Sequence, residues 1–135
     1  MKTSSELLQI HKKIWENVKR DLGEKDIYAS KQDTCYNLFP ELMRCGCCVG
    51  CYIDRKLSPG DICECCPFDD CICKNQNSLY NLIYDINEDL MCEVADPNDK
   101  YILEKLCDII INAKFKQEIS EKYDNFIVSG VVRCV

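Results

Sequence analysis

Residues 35–73 read CYNLFPELMRCGCCVGCYIDRKLSPGDICECCPFDDCIC, and this stretch holds ten of the thirteen cysteines in the 135-residue chain. Thiols at this density are either metal ligands or disulfide partners. The first residues are charged and periodic, unlike a signal peptide, and no apolar run is long enough to cross a bilayer. We therefore expect a cytoplasmic protein, in which thiols stay reduced and bind metal.

Zinc is the metal that the cysteine spacing favours. Structural zinc sites take four thiolates, typically from two close pairs, and C-x2-C pairs recur in this stretch. Ten cysteines can fill two such sites, so we predict two zinc ions, although the spacing does not fix the pairing and leaves a bridged three-metal cluster open. The expected ligands are Cys45, Cys48, Cys63 and Cys66 first, followed by Cys51, Cys71, Cys73 and Cys47.

An iron–sulfur cluster is the alternative. The run Cys45-x2-Cys48-x2-Cys51 has the spacing of ferredoxin ligands, and Cys66 precedes Pro67 as the remote fourth ligand often does. Ferredoxins pair two such runs on a small β scaffold, whereas the sequence around this cluster is helical. We therefore favour zinc over iron–sulfur.

Apolar periodicity predicts a mainly α fold: one domain over residues 1–135, built as a small three- to four-helix bundle with an irregular, zinc-stabilised insertion. The first helix, within residues 1–24, begins at a capping box in which Thr3 is the N-cap and Glu6 the partner. Residues 24–44 look irregular apart from one helical turn. The Cys-rich metal module covers residues 35–75, and residues 45–77 are predicted to be loop.

The second half of the chain predicts a helical pair over residues 78–124. Ser78 is a suitable N-cap for a helix that reaches about Cys92, and Asp96-Pro97 is a suitable start for the next helix. Residues 125–135 are rich in β-branched side chains and contain a glycine, so we predict an extended apolar tail.

Charge and residue types restrict the function. The net charge is −6, and the thiolates of a metal module would add to it, so we expect no DNA binding. His11 is the only histidine and is remote from the cysteines, and sites made only of thiolates suit structure rather than catalysis. We predict a non-enzymatic protein that binds no membrane. A basic face on the first helix is either solvated or a partner contact; it comprises Lys12, Lys13, Lys19 and Arg20.

The helical scaffold, the Cys45–Cys73 metal insertion and the tail SGVVRCV at residues 129–135 resemble the ribosome dormancy factor of microsporidia. The resemblance implies a hibernation factor that inhibits translation by occupying the tRNA exit site. The residues that would reach this site are Val131, Val132, Arg133, Cys134 and Val135. The acidic chain would then dock largely on basic ribosomal proteins, with the basic face of the first helix meeting some rRNA. A further alternative is a virus-encoded zinc-finger regulator that binds a host or transcription protein.

Overall fold

A computed structural model describes residues 1–58, 65–69, 72 and 78–130 of the chain. These residues form helices and no strand, which confirms the mainly α prediction. The helices are α1 (Ser4–Asp21), α2 (Ile27–Leu38), a 3-10 helix (Pro40–Cys45), α3 (Val49–Leu57), α4 (Leu79–Met91), α5 (Asp99–Ile111) and α6 (Gln117–Ser129).

Helix α1 is the centre of the fold. The predicted capping box is confirmed, because Thr3 Oγ1 accepts from the Glu6 N–H and Glu6 Oε1 accepts from the Thr3 N–H. The helix packs against α2 and α5 and also contacts α3 and α6. Its buried face comprises Ser4, Leu7, Ile10, His11, Ile14, Trp15 and Val18.

Two helices lie where the sequence predicted irregular chain, and both predictions are corrected. Helix α2 begins after Asp26, whose carboxylate accepts from the Ala29 N–H. Its buried face is largely polar and includes Ser30, Lys31 and Thr34, so apolar periodicity gives no sign of it. Helix α3 has only nine residues, and it includes a glycine and a cysteine, so its apolar pattern is short and interrupted.

The remaining helices match the sequence prediction in part. Helix α4 starts after the predicted N-cap, since Ser78 Oγ accepts from the Asn81 N–H. Helix α5 begins at Asp99, later than the predicted Asp96-Pro97 start, because the Asp96 carboxylate accepts from the Asn98 N–H and closes a turn instead.

Helix α6 corrects the prediction that an extended tail starts at residue 125. Residues 125–129 are helical, and Phe126 and Ile127 continue the face on which Tyr123 is buried. This spacing of three and four residues is typical of a helix. The sequence prediction instead followed the β-branched side chains, which favour extended chain. The predicted tail residues Val131–Val135 lie outside the described part of the chain.

Buried hydrogen bonds tie distant helices together. Asn87 on α4 accepts from the Gly23 N–H at 2.6 Å and donates to the Lys25 carbonyl at 2.9 Å, so it fixes the turn between α1 and α2. Asp124 on α6 accepts from both the N–H and the hydroxyl of Ser4. These contacts close the bundle around α1. Within the described residues, no helix combines the length and apolar character that crossing a bilayer requires.

His11 makes the stability of the fold depend on pH. Its Nε2–H donates to the Ile110 carbonyl at 2.8 Å, and burial lowers its pKa to about 4 from 6.5. Because the unfolded chain binds the proton more tightly, stability is complete above pH 6.5 and falls as the pH approaches 4. We expect about 3 kcal/mol to be lost between pH 7 and pH 4 through this group.

Urea unfolding of wild type and His11→Gln across this pH range tests the assignment. The substitution should flatten the profile between pH 6.5 and 4, and comparing the two proteins cancels the contribution of any bound metal. Equal slopes in the two proteins would show that other groups cause the loss.

Candidate metal centre

A tight reversal of the chain brings three cysteines together. The 3-10 helix ends at Gly46, where φ is +63°, and Cys47 follows with φ +58°. Two successive left-handed residues turn the chain so that Cys48 becomes the N-cap of α3 and its N–H bonds to the Cys45 carbonyl. Cys51 lies one turn further along α3.

A separate segment, residues 65–69, brings the fourth cysteine. The Cys65 N–H donates to the buried Asp54 carboxylate at 2.7 Å, and the Pro67 carbonyl accepts from the Lys116 N–H at 2.7 Å. These bonds press the segment onto α3 at Gly50. A Cβ at Gly50 would lie 3.2 Å from Cys66 Sγ and 2.8 Å from the Phe68 ring, so this close approach needs a glycine.

The four cysteines line one cavity of about 370 Å³. Three further helices complete its wall, through Trp15 on α1, Lys31 on α2 and Tyr80 on α4. Asp54 and Asp69 also line it. Four of the eight predicted ligands thus line one cavity: Cys45, Cys48, Cys51 and Cys66. Cys63, Cys71 and Cys73 lie outside the described residues.

The thiols of the cavity are in different electrostatic states. A hydrogen bond from the Cys51 thiol, the positive charge of Lys31 and the N–H groups of the first turn of α3 hold the pKa of Cys48 well below its usual range. Burial raises the pKa of Cys45, although Arg55, whose Nη1 lies 4.0 Å from the sulfur, acts against it. Of these two thiols, Cys48 therefore loses its proton more readily.

The four thiols are suitable ligands for a metal ion, but their sulfur atoms are not positioned around a common point in this structure. Among the described residues, no group of three or more His, Cys, Asp or Glu side chains is close enough to hold a metal ion. The four thiols share a cavity, and rotation about their Cα–Cβ bonds would be needed to bring the sulfurs to one point. Four thiols without histidine are donors that suit zinc or iron–sulfur.

The other cysteines of the described chain have structural surroundings. Cys47 is buried, and its thiol shares a hydrogen bond with the Cys35 thiol. The pKa of Cys35 is raised mainly by burial and also by this hydrogen bond. Cys107 is buried in α5, where burial raises its pKa to about 12. Cys92 is exposed at the end of α4. Cys47, a predicted ligand, therefore contacts Cys35 and does not line the cavity.

The predicted basic face of α1 is less uniform than the sequence indicates. Lys19 Nζ lies 2.8 Å from the Asp108 carboxylate on α5, so it is an internal ion pair. Lys13 and Arg20 are exposed, and Lys12 is partly buried. Lys19 is thus the member least available to a partner.

Sequence reasoning missed two charged residues of the site, Lys31 and Asp54. Both are buried, at 5% exposure each, although lysine and aspartate are rarely buried. Both lie on helices that the apolar pattern did not predict. Their only signal would have been the helical spacing of Lys31 with Cys35 and of Asp54 with Cys51.

Comparison with known proteins gives no relative. No family model matches the chain, and neither a curated protein nor a solved structure matches it significantly.

Adjacent cysteines provide matched controls for the site. We expect Cys48→Ser and Cys66→Ser to lower metal affinity by more than about 100-fold, because losing an outer-shell partner alone costs roughly 10–100-fold. Cys47→Ser and Cys65→Ser, one residue away but outside the cavity wall, should bind nearly as wild type. Competition with a coloured chelator under anaerobic conditions measures the metal affinity of the four variants and of wild type. The reverse pattern would move the site to the neighbouring cysteines.

Proposed function

We propose that this chain is a non-enzymatic zinc protein whose metal centre stabilises a surface that binds a partner. One observation carries the metal part: cysteines from three local segments, Cys45, the pair Cys48 and Cys51, and Cys66, line a single cavity. Zinc held by four thiolates has no open position for a substrate, so its role is structural. Its binding free energy then contributes to folding.

The second zinc ion predicted from the sequence stays a prediction. It would draw on Cys63, Cys71 and Cys73, which lie outside the described residues. Within residues 35–73, the described cysteines that do not line the cavity are Cys35 and Cys47, whose free thiols share a hydrogen bond, and Cys65.

The partner surface that we propose is the hairpin of α4 and α5. Residues 79–111 carry eight acidic and two basic side chains, and the resulting −6 equals the net charge of the whole chain. The hairpin also exposes large apolar side chains: Leu82, Ile102 and Ile109 are 45%, 53% and 52% exposed. Ile102 and Ile109 are two helical turns apart and share a face of α5.

Acidic charge around exposed apolar groups suits a basic amphipathic segment. Basic extensions of ribosomal proteins have this chemistry, which is consistent with a ribosome-bound dormancy factor that inhibits translation. The tRNA exit site contact through Val131–Val135 falls outside the described residues and stays a prediction.

Co-sedimentation with ribosomes from the source cells tests the docking surface. Ile102→Asp with Ile109→Asp should weaken binding at least about tenfold, because it removes the apolar contact from the interface. Val128→Asp on α6 is the matched control, since Val128 is 88% exposed and lies elsewhere. Binding should also weaken as salt rises.

Two outcomes would contradict this proposal. Wild type that fails to sediment with ribosomes would remove the ribosome as partner, and a discrete captured protein would favour the zinc-finger regulator instead. Equal binding by the double variant and wild type would place the contact elsewhere, and deletion of residues 131–135 would then test the tail.

An iron–sulfur protein is the second candidate, and a specific observation favours it. The ferredoxin-like run Cys45, Cys48, Cys51 and the Cys66 that precedes Pro67 all line the same cavity. A cavity of about 370 Å³ is also larger than a single metal ion occupies. Such a centre would carry electrons or sense oxidants.

Metal content of anaerobically purified protein separates the two candidates. We expect zinc and no visible colour, since zinc has no redox chemistry and no partly filled d shell. Iron with a broad brown absorption would replace the structural role with a redox one.

A further inference from the structure

Lys31 is a buried cation that has no acidic partner within the part of the chain that the structure describes. Its side chain on α2 is 5% exposed, and its Nζ lies 5.4 Å from the ring centre of Trp15 and 5.0 Å from that of Tyr80. Among the described residues, no carboxylate forms an ion pair with it. The two rings offset part of the cost of burying an ammonium, but an unpaired charge is still destabilising.

The group that Lys31 faces is the set of cavity cysteines. Lys31 lines the same cavity as the four thiols, and its charge helps to lower the pKa of Cys48. Near Cys45, Arg55 supplies a second positive charge, with Nη1 4.0 Å from the sulfur. Asp54 and Asp69 also reach the cavity, yet neither pairs with Lys31, so they only add to the negative charge there.

We propose that Lys31 is the counter-ion of the metal centre and sets its affinity. This inference rests on the proposed metal site. A divalent zinc ion with four thiolates carries two net negative charges, and so does an oxidised four-iron cluster with four thiolates. Lys31 and Arg55 offset part of the negative charge at the cavity, to which Asp54 and Asp69 contribute beside the thiolate centre. An ammonium that is unpaired without metal acquires its partner when metal binds.

The position of Lys31 is fixed by packing. Trp15 on α1 and Tyr80 on α4 meet edge to face with ring centres 6.0 Å apart, and Nζ lies near both rings. Lys31 also lies one turn before Cys35 on the buried face of α2. Because the stem is enclosed, the charge cannot retreat into water as that of a surface lysine does.

Metal affinity and metal-free stability of the full chain test the proposal together. Lys31→Met should weaken zinc binding by about 10–100-fold, the usual effect of losing an outer-shell partner. Lys31→Arg should stay within a few-fold of wild type, because the charge is kept. The matched control is Lys122→Met, since Lys122 Nζ lies 3.9 Å from the sulfur of Cys65, a cysteine outside the cavity wall. This control should bind zinc as wild type.

The metal-free proteins should respond in the opposite direction. Removing an unpaired buried charge leaves metal-free Lys31→Met at least as stable as wild type, measured by thermal unfolding with chelator present. If Lys31 had only a structural role, its replacement would lower the stability of the metal-free protein instead. Lys31→Gln repeats both measurements with a polar neutral side chain, so that one badly packed variant does not decide the result.

Three outcomes of these experiments would overturn a specific part of the proposal. Zinc bound as tightly by Lys31→Met and Lys31→Gln as by wild type overturns the counter-ion role. A loss of metal-free stability in both neutral variants overturns it too. Failure of the wild-type protein to bind either zinc or iron would overturn the proposed metal site itself. The serine variants of Cys48 and Cys66 test that site independently of Lys31.

Discussion

The chain reversal at Gly46 and Cys47 is the constraint on which the site depends. Left-handed backbone is free for glycine but costs of order 1–3 kcal/mol for a residue such as cysteine, and packing must hold it there. Cys47 is buried against Cys35, which supplies that packing. The reversal places Cys45 beside Cys48 and sets Cys48 at the positive end of α3, where a thiolate is favoured.

The cysteine-lined cavity is built into the helical core and does not lie in an appendage between helices. Its cavity wall includes Trp15 from α1, Lys31 from α2 and Tyr80 from α4. Phe68, which also lines the cavity, packs on the His11 ring with ring centres 4.6 Å apart. Because these helices are also the main packing elements, binding of metal would be linked to the stability of the whole described fold.

Local signals in the sequence predict the parts of the fold that rest on local chemistry. The capping box at Thr3 and the start at Ser78 follow from side chains that bond to nearby N–H groups. Helix α2 could not be predicted in this way, because its buried face depends on Lys31 and other polar groups that only tertiary contacts satisfy. The grouping of cysteines was predictable, but the choice of Cys66 depends on the approach at Gly50, which sequence spacing does not encode.

The distribution of charge along the chain relates the cysteine cavity to the acidic surface of the α4–α5 hairpin. Residues 79–111 account for the full net charge of −6, so acidic and basic groups balance in the remainder. Of those basic groups, Lys31 lines the cavity, and the exposed Arg55 has its Nη1 4.0 Å from the Cys45 sulfur. A metal–thiolate centre with two negative charges would neutralise them internally, so the field outside the protein would be dominated by the acidic α4–α5 hairpin. Loss of metal would protonate thiols and leave those cations uncompensated, weakening the attraction for a basic partner even if the hairpin kept its shape.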